Sequence, residues 1–140
     1  ELFGDLAILA EGKRNATVAG DRASKEISLF GTDFSIFGKL DEIGGISLNT
    51  KLMFYRSMVH GVRWKLEVYK MQHPNHALVA KGRAIKMYMG AKGGKEELHA
   101  LHEQAAALSD VLKEWNTEFG ALSANDTAEA EFNPSLVKGL

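Results

Sequence analysis

The sequence predicts an α+β fold, in which an N-terminal β-hairpin and an antiparallel β-sheet are followed by a C-terminal helix or helices. Three stretches, residues 51–57, 62–71 and 83–89, alternate apolar and polar side chains, as strands with one buried face do. From Lys95 onward the apolar residues are instead three and four positions apart, which is the period of an amphipathic helix. A chain of 140 residues is the usual size of one domain, so a single domain over residues 1–140 is predicted.

The composition is that of a folded globular chain without overall basic character. Hydrophobic residues make up 45% and charged residues 25% of the sequence, and 17 Lys+Arg against 18 Asp+Glu give a formal net charge of −1. Any nucleic-acid site must therefore be a local patch. The absence of cysteine excludes disulfides, thiolate metal sites and cysteine nucleophiles. No apolar run approaches the roughly 20 residues of a membrane span, so no membrane partner is predicted. The first residues, ELFGDLAILAEGKR, include acidic side chains where a signal peptide would be basic, so no export signal is predicted.

The N-terminal elements are predicted from short β-like runs. Residues 1–20 are expected to form a hairpin, because two weakly alternating runs flank a turn-forming Glu-Gly-Lys. Residues 25–29 and 33–37 are predicted as short strands. With the longer strands that follow, the antiparallel sheet is predicted to extend over residues 25–89.

The strongest strand signal lies on either side of a predicted turn at residues 58–61, where Gly61 can take positive φ. In the strand after this turn, the apolar side chains are predicted to be buried and the polar side chains to be exposed. The predicted buried set is Val62, Trp64, Leu66 and Val68, and the predicted exposed set is Arg63, Lys65, Glu67 and Tyr69.

If the three long strands share one sheet, their outward side chains form a face that is both cationic and aromatic. Such a face suits single-stranded RNA, because cations contact phosphates and aromatic rings stack on unpaired bases. The predicted RNA-binding residues are Lys51, Tyr55, Arg63, Lys65, Lys86 and Tyr88. A solvated sheet face carries the same residue types without any ligand, and this alternative stays open.

A helical region is predicted over residues 95–122, followed by a polar tail over residues 123–140. The apolar stripe of the helix consists of Leu98, Leu101, Ala105, Leu108, Leu112, Trp115, Phe119 and Leu122. Glu96 and Glu97 stand in the first turn, where negative charge suits the helix dipole. Gly120 is expected to end or bend the helix.

A symmetric dimer is predicted because one helix is narrower than a sheet of five or six strands. If each chain lays its helix across the partner, the helices clasp the dimer and the bare part of the sheet is covered. The predicted dimer interface residues are Leu101, Leu108, Leu112 and Trp115. The alternative is that the N-terminal strands fold over the sheet.

No catalytic residue, metal site or cofactor is predicted. His99 and His102 are three residues apart on the predicted helix, beside Glu96 and Glu103. This spacing binds a metal only where other helices supply the remaining ligands, and only one long helix is predicted. Solvent-facing or interface histidines are therefore expected. The glycines of GAKGG lack the spacing and the Lys-Ser/Thr ending of a phosphate-binding loop, and they are interpreted as a helix-entry turn.

The order of the predicted elements carries a resemblance to a known family. Short N-terminal strands precede a long hairpin, LNTKLMFYRSMVHGVRWKLEVYKMQHP, and a further strand, ALVAKGRAIKMYM, and a glycine-containing turn then leads into helical sequence. This order resembles the coat proteins of single-stranded RNA bacteriophages, the levivirus-like family. The resemblance implies a dimer with one continuous sheet, clasping helices and RNA on the inner sheet face. It also implies self-assembly into an icosahedral shell, translational repression through an RNA hairpin, and a location in the virion and, during assembly, in the host cytoplasm.

Two hypotheses for the function result. The first is a structural capsid protein that dimerises, assembles into a shell and binds genomic RNA. The alternative is a small dimeric α+β regulator that binds RNA or a peptide on the same face and forms no shell. An enzyme with a histidine-based metal site is a distant third hypothesis and is not predicted.

Overall fold

The computed structural model describes residues 4, 9, 20, 23–31, 34–37, 39–42, 45–119 and 138–139. Within them, α1 spans Leu48–Gln72, α2 spans Ala77–Ala84 and α3 spans Lys95–Phe119. A 3₁₀ turn covers Phe34–Phe37. Two strands of two residues each, β1 at Phe30–Gly31 and β2 at Lys138–Gly139, pair in parallel with Phe30 opposite Lys138.

The ends of α1 are set by a serine cap and a proline. The Oγ of Ser47 accepts a hydrogen bond from the N–H of Thr50 at 3.1 Å, which satisfies one of the free donors of the first turn. At the other end, His73 donates its N–H to the carbonyl of Tyr69 at 2.8 Å. Pro74 follows, and proline disfavours helical backbone at the residue before it.

Specific hydrogen bonds also mark the starts of α2 and α3. The Nδ1 of His76 accepts a hydrogen bond from the N–H of Leu78 at 3.2 Å and so caps α2. Before α3, Gly93 has a φ of +90° and donates its N–H to the carboxylate of Glu97 at 2.6 Å. A negative charge in the first turn also suits the dipole of α3.

The core lies between α1 and α3, which bury their apolar faces against each other. It consists of Leu52, Tyr55, Met58, Val59, Val62, Leu98, Leu101, Ala105, Leu108 and Leu112. A second cluster, Leu78, Val79, Val111 and Trp115, attaches α2 to α3. The three helices therefore share one continuous packed interior.

Lys51 ties the turn at residues 39–42 to α1. The lysine is only 2% exposed, and its Nζ donates to the carbonyls of Lys39 at 2.6 Å and Glu42 at 2.8 Å, with a longer contact to Leu40 at 3.4 Å. A buried ammonium is costly unless its donors are satisfied. Three carbonyl acceptors satisfy it here, and Lys51 is a structural residue.

The predicted antiparallel sheet is absent from the described residues, and the α+β fold class is wrong because the chain there is mostly helical. The strands predicted at residues 51–57 and 62–71, together with the turn at residues 58–61, form the single helix α1. Of the third predicted strand, residues 83 and 84 end α2, and residues 85–89 pair with no described strand.

The physical reason is that the apolar residues of this stretch recur at helical as well as strand spacing. Leu52, Tyr55, Val59, Val62 and Leu66 are three or four positions apart, so one helical face collects them. A helix of 25 residues also closes its backbone hydrogen bonds within itself, whereas a strand needs neighbours on both sides to do so.

The helical register changes which side chains are buried. Trp64, predicted to be buried, is 61% exposed, because two positions along a helix turn the side chain to the far side. Val62 is buried as predicted, whereas Leu66 and Val68 are half-buried. Arg63 and Lys65, predicted to be exposed, are half-buried too.

The other predicted N-terminal and C-terminal elements are only partly described. Residues 25–29 form no strand, and the predicted strand at residues 33–37 is occupied by the 3₁₀ turn. The predicted hairpin at residues 1–20 lies outside the described residues except for positions 4, 9 and 20, and the predicted tail lies outside them except for β2.

The helix predicted from Lys95 is present as α3 and ends at Phe119. Within its apolar stripe, the residues that pack against α1 of the same chain need no second copy to cover them, and they are Leu98, Leu101, Ala105, Leu108 and Leu112. Residues 120–122 of the predicted helical region lie outside the described residues. The clasping dimer was predicted to cover a wide sheet, and that sheet is absent from the described residues.

Candidate functional site

A groove of about 450 Å³ lies where the C-terminal half of α1, α2 and the residues after α2 meet beside α3. Sites for small organic ligands span roughly 300–1,000 Å³. The apolar lining is formed by Leu66, Leu78, Val79, Ile85, Met87, Leu108 and Trp115, and the charged lining by Arg63, Glu67, Lys70, Arg83 and Lys86. We refer to the space between these residues as the cationic groove.

Four cations and one carboxylate give the cationic groove a local positive charge, although the whole chain has a formal net charge of −1. Lys70 donates to the carboxylate of Glu67 at 2.6 Å, which neutralises that pair. Arg83 and Lys86 are both exposed and form no ion pair with any other described residue. A concave surface lined by one sign of charge concentrates ligands of the opposite sign.

Arg63 has an unmet hydrogen-bonding capacity at this groove. Its Nη2 donates to the carbonyl of Ile85 at 3.1 Å and to the Oε1 of Gln104 at 3.4 Å. Its Nε–H is buried and has no acceptor in the described part of the chain. A buried donor without an acceptor costs about 1–3 kcal/mol. Because this N–H is buried, the cost falls on the packing of α1 and is not relieved by a ligand in the groove.

An aromatic cluster fixes the end of the groove where α1, α2 and α3 meet. The rings of Tyr69 and Trp115 stack with centroids 5.2 Å apart, and the ring of His76 lies 4.8 Å from Trp115. The Nδ1 of His76 caps α2 by accepting from the N–H of Leu78. Nε2 therefore carries the proton of the neutral ring and donates to Glu118 at 2.8 Å. These contacts hold α2 in the position that forms one wall of the groove.

A smaller hollow adjoins the cationic groove on the side of the residues after α2. Its volume is about 350 Å³, and Ile85, Lys86 and Met87 line both spaces. Tyr88 lines the smaller hollow and donates its hydroxyl to the carbonyl of Ala91 at 3.1 Å. The extended residues 85–88 therefore form a wall shared by two neighbouring concave surfaces.

The structure brings together three of the six residues that the sequence predicts to bind RNA. Arg63 and Lys86 both line the cationic groove, and Tyr88 lines the adjoining hollow. Lys65 is half-buried on α1 and lines neither space. The reason is helical geometry, since two positions along α1 turn Lys65 away from the side on which Arg63 stands.

The other two predicted RNA-binding residues lie in the interior, and their predicted surface position is wrong. Lys51 is held by backbone carbonyls of the turn at residues 39–42. Tyr55 belongs to the core between α1 and α3, where its ring meets that of His102 at 5.6 Å. Burial raises the pKa of the Tyr55 phenol. Neither side chain can stack on a base or contact a phosphate while the helices stay packed.

Sequence reasoning missed Lys70 and Arg83, which complete the charged lining of the groove. Arg63, Glu67 and Lys70 are spaced four and three apart, and this spacing places them on one face of a helix. The signal was therefore present, but it becomes visible only when the stretch is interpreted as a helix. The contribution of Arg83 depends on the packing of α2 against α3, which no local pattern specifies.

The four predicted dimer interface residues are buried within the chain itself. They are Leu101, Leu108, Leu112 and Trp115. The first three pack in the core against α1, and Trp115 packs against α2. Contact of these side chains with a second copy stays a prediction, and it would require the helices of one chain to separate.

The described residues offer no other site of recognisable chemistry. They contain no group of three or more His, Cys, Asp or Glu side chains placed to hold a metal ion. His99 is exposed and contacts Asp41 at 2.7 Å, and His102 packs on Tyr55. None of the described helices combines the length and the apolar character that a membrane span requires.

Comparison of the chain with models of known protein families, with curated proteins and with solved structures gives no match. The function is therefore inferred from the residues of the chain alone.

Proposed function

We propose that the protein is a helical binding module that holds single-stranded RNA in the cationic groove. The observation that supports this most is the combination of four cations with an apolar lining in one concave surface. Single-stranded nucleic acids are bound by grooves that place cations along the backbone and apolar or aromatic surface under the bases.

The phosphate contacts are assigned to Arg83, Lys86 and Lys70. Arg83 and Lys86 are exposed, and Lys70 exchanges one contact with Glu67 for one with a phosphate. Each such contact releases counterions from the RNA, so the affinity falls as salt rises. The RNA-binding role predicted for Lys86 is therefore part of this proposal, although the surrounding fold is helical and not a sheet.

The base contact is assigned to the apolar lining. An unstacked base that enters the groove meets the side chains of Leu66, Ile85 and Met87, which are the members of the apolar lining that are at least partly exposed. Because every base has an apolar face, this mode of binding does not depend on the sequence of the RNA. Tyr88, at the adjoining hollow, is the ring nearest in sequence to Lys86 that can receive a neighbouring base.

Assembly into a shell, translational repression and a place in the virion were implied by the resemblance to phage coat proteins. That resemblance was built on an order of strands, and the described residues form helices instead. These functions stay predictions, and RNA binding at the groove depends on none of them.

The proposal is tested by fluorescence anisotropy of a labelled single-stranded RNA of about 12 nucleotides, long enough for one site on a single domain. With three phosphate contacts at about 0.7 each, log K should fall against log salt with a slope of about −2. The double variant Arg83→Ala/Lys86→Ala should make the slope shallower by about 1.4.

The matched control is Lys95→Ala/Lys113→Ala, which removes the same charge from exposed positions of α3 outside the groove. It should leave the slope within about 0.3 of the wild-type value, since neither lysine lines the groove. Equal weakening by both double variants would mean general electrostatic attraction. Binding of a free mononucleotide as tight as that of the RNA would instead identify the groove as a site for a small anion.

A further inference from the structure

The smaller hollow beside the cationic groove contains a hydrogen-bond donor that has no acceptor. Gln104 on α3 lines this hollow and is only 9% exposed. Its Nε2 donates to no acceptor in the described part of the chain. Among the described residues, the only enclosed side-chain nitrogen or oxygen without a partner is the Nε of Arg63, so the Nε2 of Gln104 is not enclosed and opens on the hollow. Polar atoms of largely buried side chains normally have partners, and this amide therefore marks a position for an oxygen or nitrogen acceptor of a ligand.

The orientation of the Gln104 amide is set by Arg63. The Nη2 of Arg63 donates to the Oε1 of Gln104 at 3.4 Å. A guanidinium carries donors only, so the amide atom that faces it must be the oxygen. The two N–H groups of Gln104 therefore point away from Arg63, and the hollow receives a donor and not an acceptor from this side chain.

The side chains around Gln104 leave its amide open and add further polar groups. Ala100, Gln104 and Ala107 are four and three positions apart on α3, so two short side chains flank the amide on one helical face. Glu103 also lines the hollow, is exposed and pairs with no other described residue; its ionised carboxylate can only accept. Lys86 lines the hollow from the residues after α2. The hollow thus presents two donor groups and one acceptor group.

The ring of Tyr88 gives the smaller hollow a flat wall. Its hydroxyl donates to the carbonyl of Ala91 at 3.1 Å. The ring lies against Gly90, where a Cβ would overlap it, so both contacts hold the ring in place. An aromatic ring fixed in this way is a surface on which an unpaired base can stack.

We infer that the smaller hollow receives a pyrimidine base of the RNA and that Gln104 determines this preference. The inference rests on the proposed function, since the cationic groove holds the backbone of the same RNA. The edge of a pyrimidine carries two acceptors and one donor group, which are O2, O4 and N3–H in uracil and O2, N3 and the amino group in cytosine. This set complements the two donor groups and the one acceptor group of the hollow.

A purine fits the hollow less well, because its Watson–Crick edge carries a single acceptor, N1 in adenine or O6 in guanine. One of the two donor groups of the hollow then stays unmatched. The ammonium of Lys86 has three donors and is exposed, so it can contact a phosphate and a base oxygen together. Gln104 lacks this freedom, since it is largely buried and a base in the hollow covers its amide. One net hydrogen bond changes the affinity about three- to tenfold.

The test compares oligouridylate, oligocytidylate and oligoadenylate of about 12 nucleotides by fluorescence anisotropy. The two pyrimidine RNAs should bind about three- to tenfold more tightly than oligoadenylate. Because adenines also stack on one another, the decisive quantity is the change of this ratio in Gln104→Glu. That variant keeps an oxygen toward Arg63 but replaces the N–H donors by an acceptor, and the ratio should fall about threefold or more.

The matched control is Gln72→Glu, which makes the same chemical change at an exposed position that lines neither the groove nor the hollow. General weakening by the added negative charge cancels in the ratio, so the control should keep the wild-type ratio within about 1.5-fold. A fall for only one of the two pyrimidine RNAs supports the inference and identifies that base. Binding of all three RNAs with an unchanged ratio in Gln104→Glu overturns the inference and leaves RNA binding at the groove intact, whereas binding of none refutes the proposed function itself.

A second measurement uses the wild type and does not depend on the folding of a variant. The side-chain NH₂ resonances of Gln104 in the isotope-labelled protein should move when a pyrimidine RNA is added, because the amide gains an acceptor. They should stay in place with oligoadenylate, which occupies the groove alone. Resonances that stay in place at saturating concentrations of both pyrimidine RNAs would overturn the inference.

Discussion

The buried carboxylate of Glu97 joins the start of α3 to the middle of α1, and its replacement by glutamine has a specific expected signature. Arg56 donates from Nε and Nη2 to the two carboxylate oxygens at 2.8 and 2.7 Å, and Gly93 adds its N–H at 2.6 Å. The Glu97 side chain is 6% exposed. Glu97→Gln keeps the shape of the side chain but turns one acceptor into a donor facing the guanidinium.

The expected loss of unfolding free energy is about 1–3 kcal/mol, from hydrogen bonds to a charged group. The lower half of this range is favoured because the side chain of Arg56 is 42% exposed and solvent screens the charge. The assay is urea denaturation at pH 7, followed by circular dichroism. Glu103→Gln is the control, since Glu103 is exposed on the same helix and should change the stability by less than about 0.5 kcal/mol.

The same residue gives a dependence on pH. The hydrogen bonds from Arg56, and then that from Gly93, lower the pKa of Glu97 below its ordinary value of 4.5. Between the lowered value and 4.5 the unfolded chain binds more protons than the folded chain, so stability falls as the pH falls. The difference between wild type and Glu97→Gln should therefore shrink from pH 7 to about pH 3. Equal stability of the two proteins at pH 7, or a difference that is independent of pH, would refute this account of Glu97.

Three further predictions, each made for a substitution at a different position, test the helical packing by chemical denaturation. Leu108→Ala should lower the free energy of unfolding by about 3–5 kcal/mol, because the side chain is fully buried between α1 and α3. Met53→Ala, on the exposed face of α1, should lower it by less than about 0.5 kcal/mol. Comparable losses in the two variants would mean that the described register of α1 is wrong. Lys51→Met should cost about 1–3 kcal/mol, since it leaves buried carbonyls of the turn at residues 39–42 without their donor; an unchanged midpoint would show that this contact does not form. Ser47→Ala should cost about 1 kcal/mol through loss of the cap of α1, and restoration by Ser47→Asp distinguishes the cap from an unrelated effect.

The sequence was sufficient to predict α3 but not α1. The stripe of α3 has only one interpretation, because its apolar residues are three and four apart over 25 residues with no glycine or proline inside. In α1 the apolar residues after position 61 fit both the two-residue period of a strand and the 3.6-residue period of a helix. Gly61 was interpreted as part of a turn, so the stretch was predicted as two strands. Two observations favour the helix. The patterned stretch is much longer than the 4–8 residues of most strands, and Ser47 with Thr50 marks a helix start.

The cationic groove could be anticipated only in part. Arg63 and Lys86 were selected for charge and for a shared outward face, and they do meet, but through the packing of α2 and residues 85–87 beside α1. Lys51 and Tyr55 were selected by the same criterion and are buried. A lysine satisfied by three carbonyls looks in the sequence like any other lysine, because its acceptors come from a turn about ten residues away.

The central claim, that the cationic groove binds single-stranded RNA, is tested most directly by amide chemical shifts of the labelled protein during titration with the same RNA. The predicted result is a set of perturbed amides confined to residues 63–70 of α1, to α2 and to residues 85–88, with the largest changes next to Arg83 and Lys86. These changes should disappear in Arg83→Ala/Lys86→Ala, whose spectrum must otherwise match that of the folded wild type. Perturbations centred instead on the N-terminal half of α1, or none at RNA concentrations well above those of the protein, would contradict the claim.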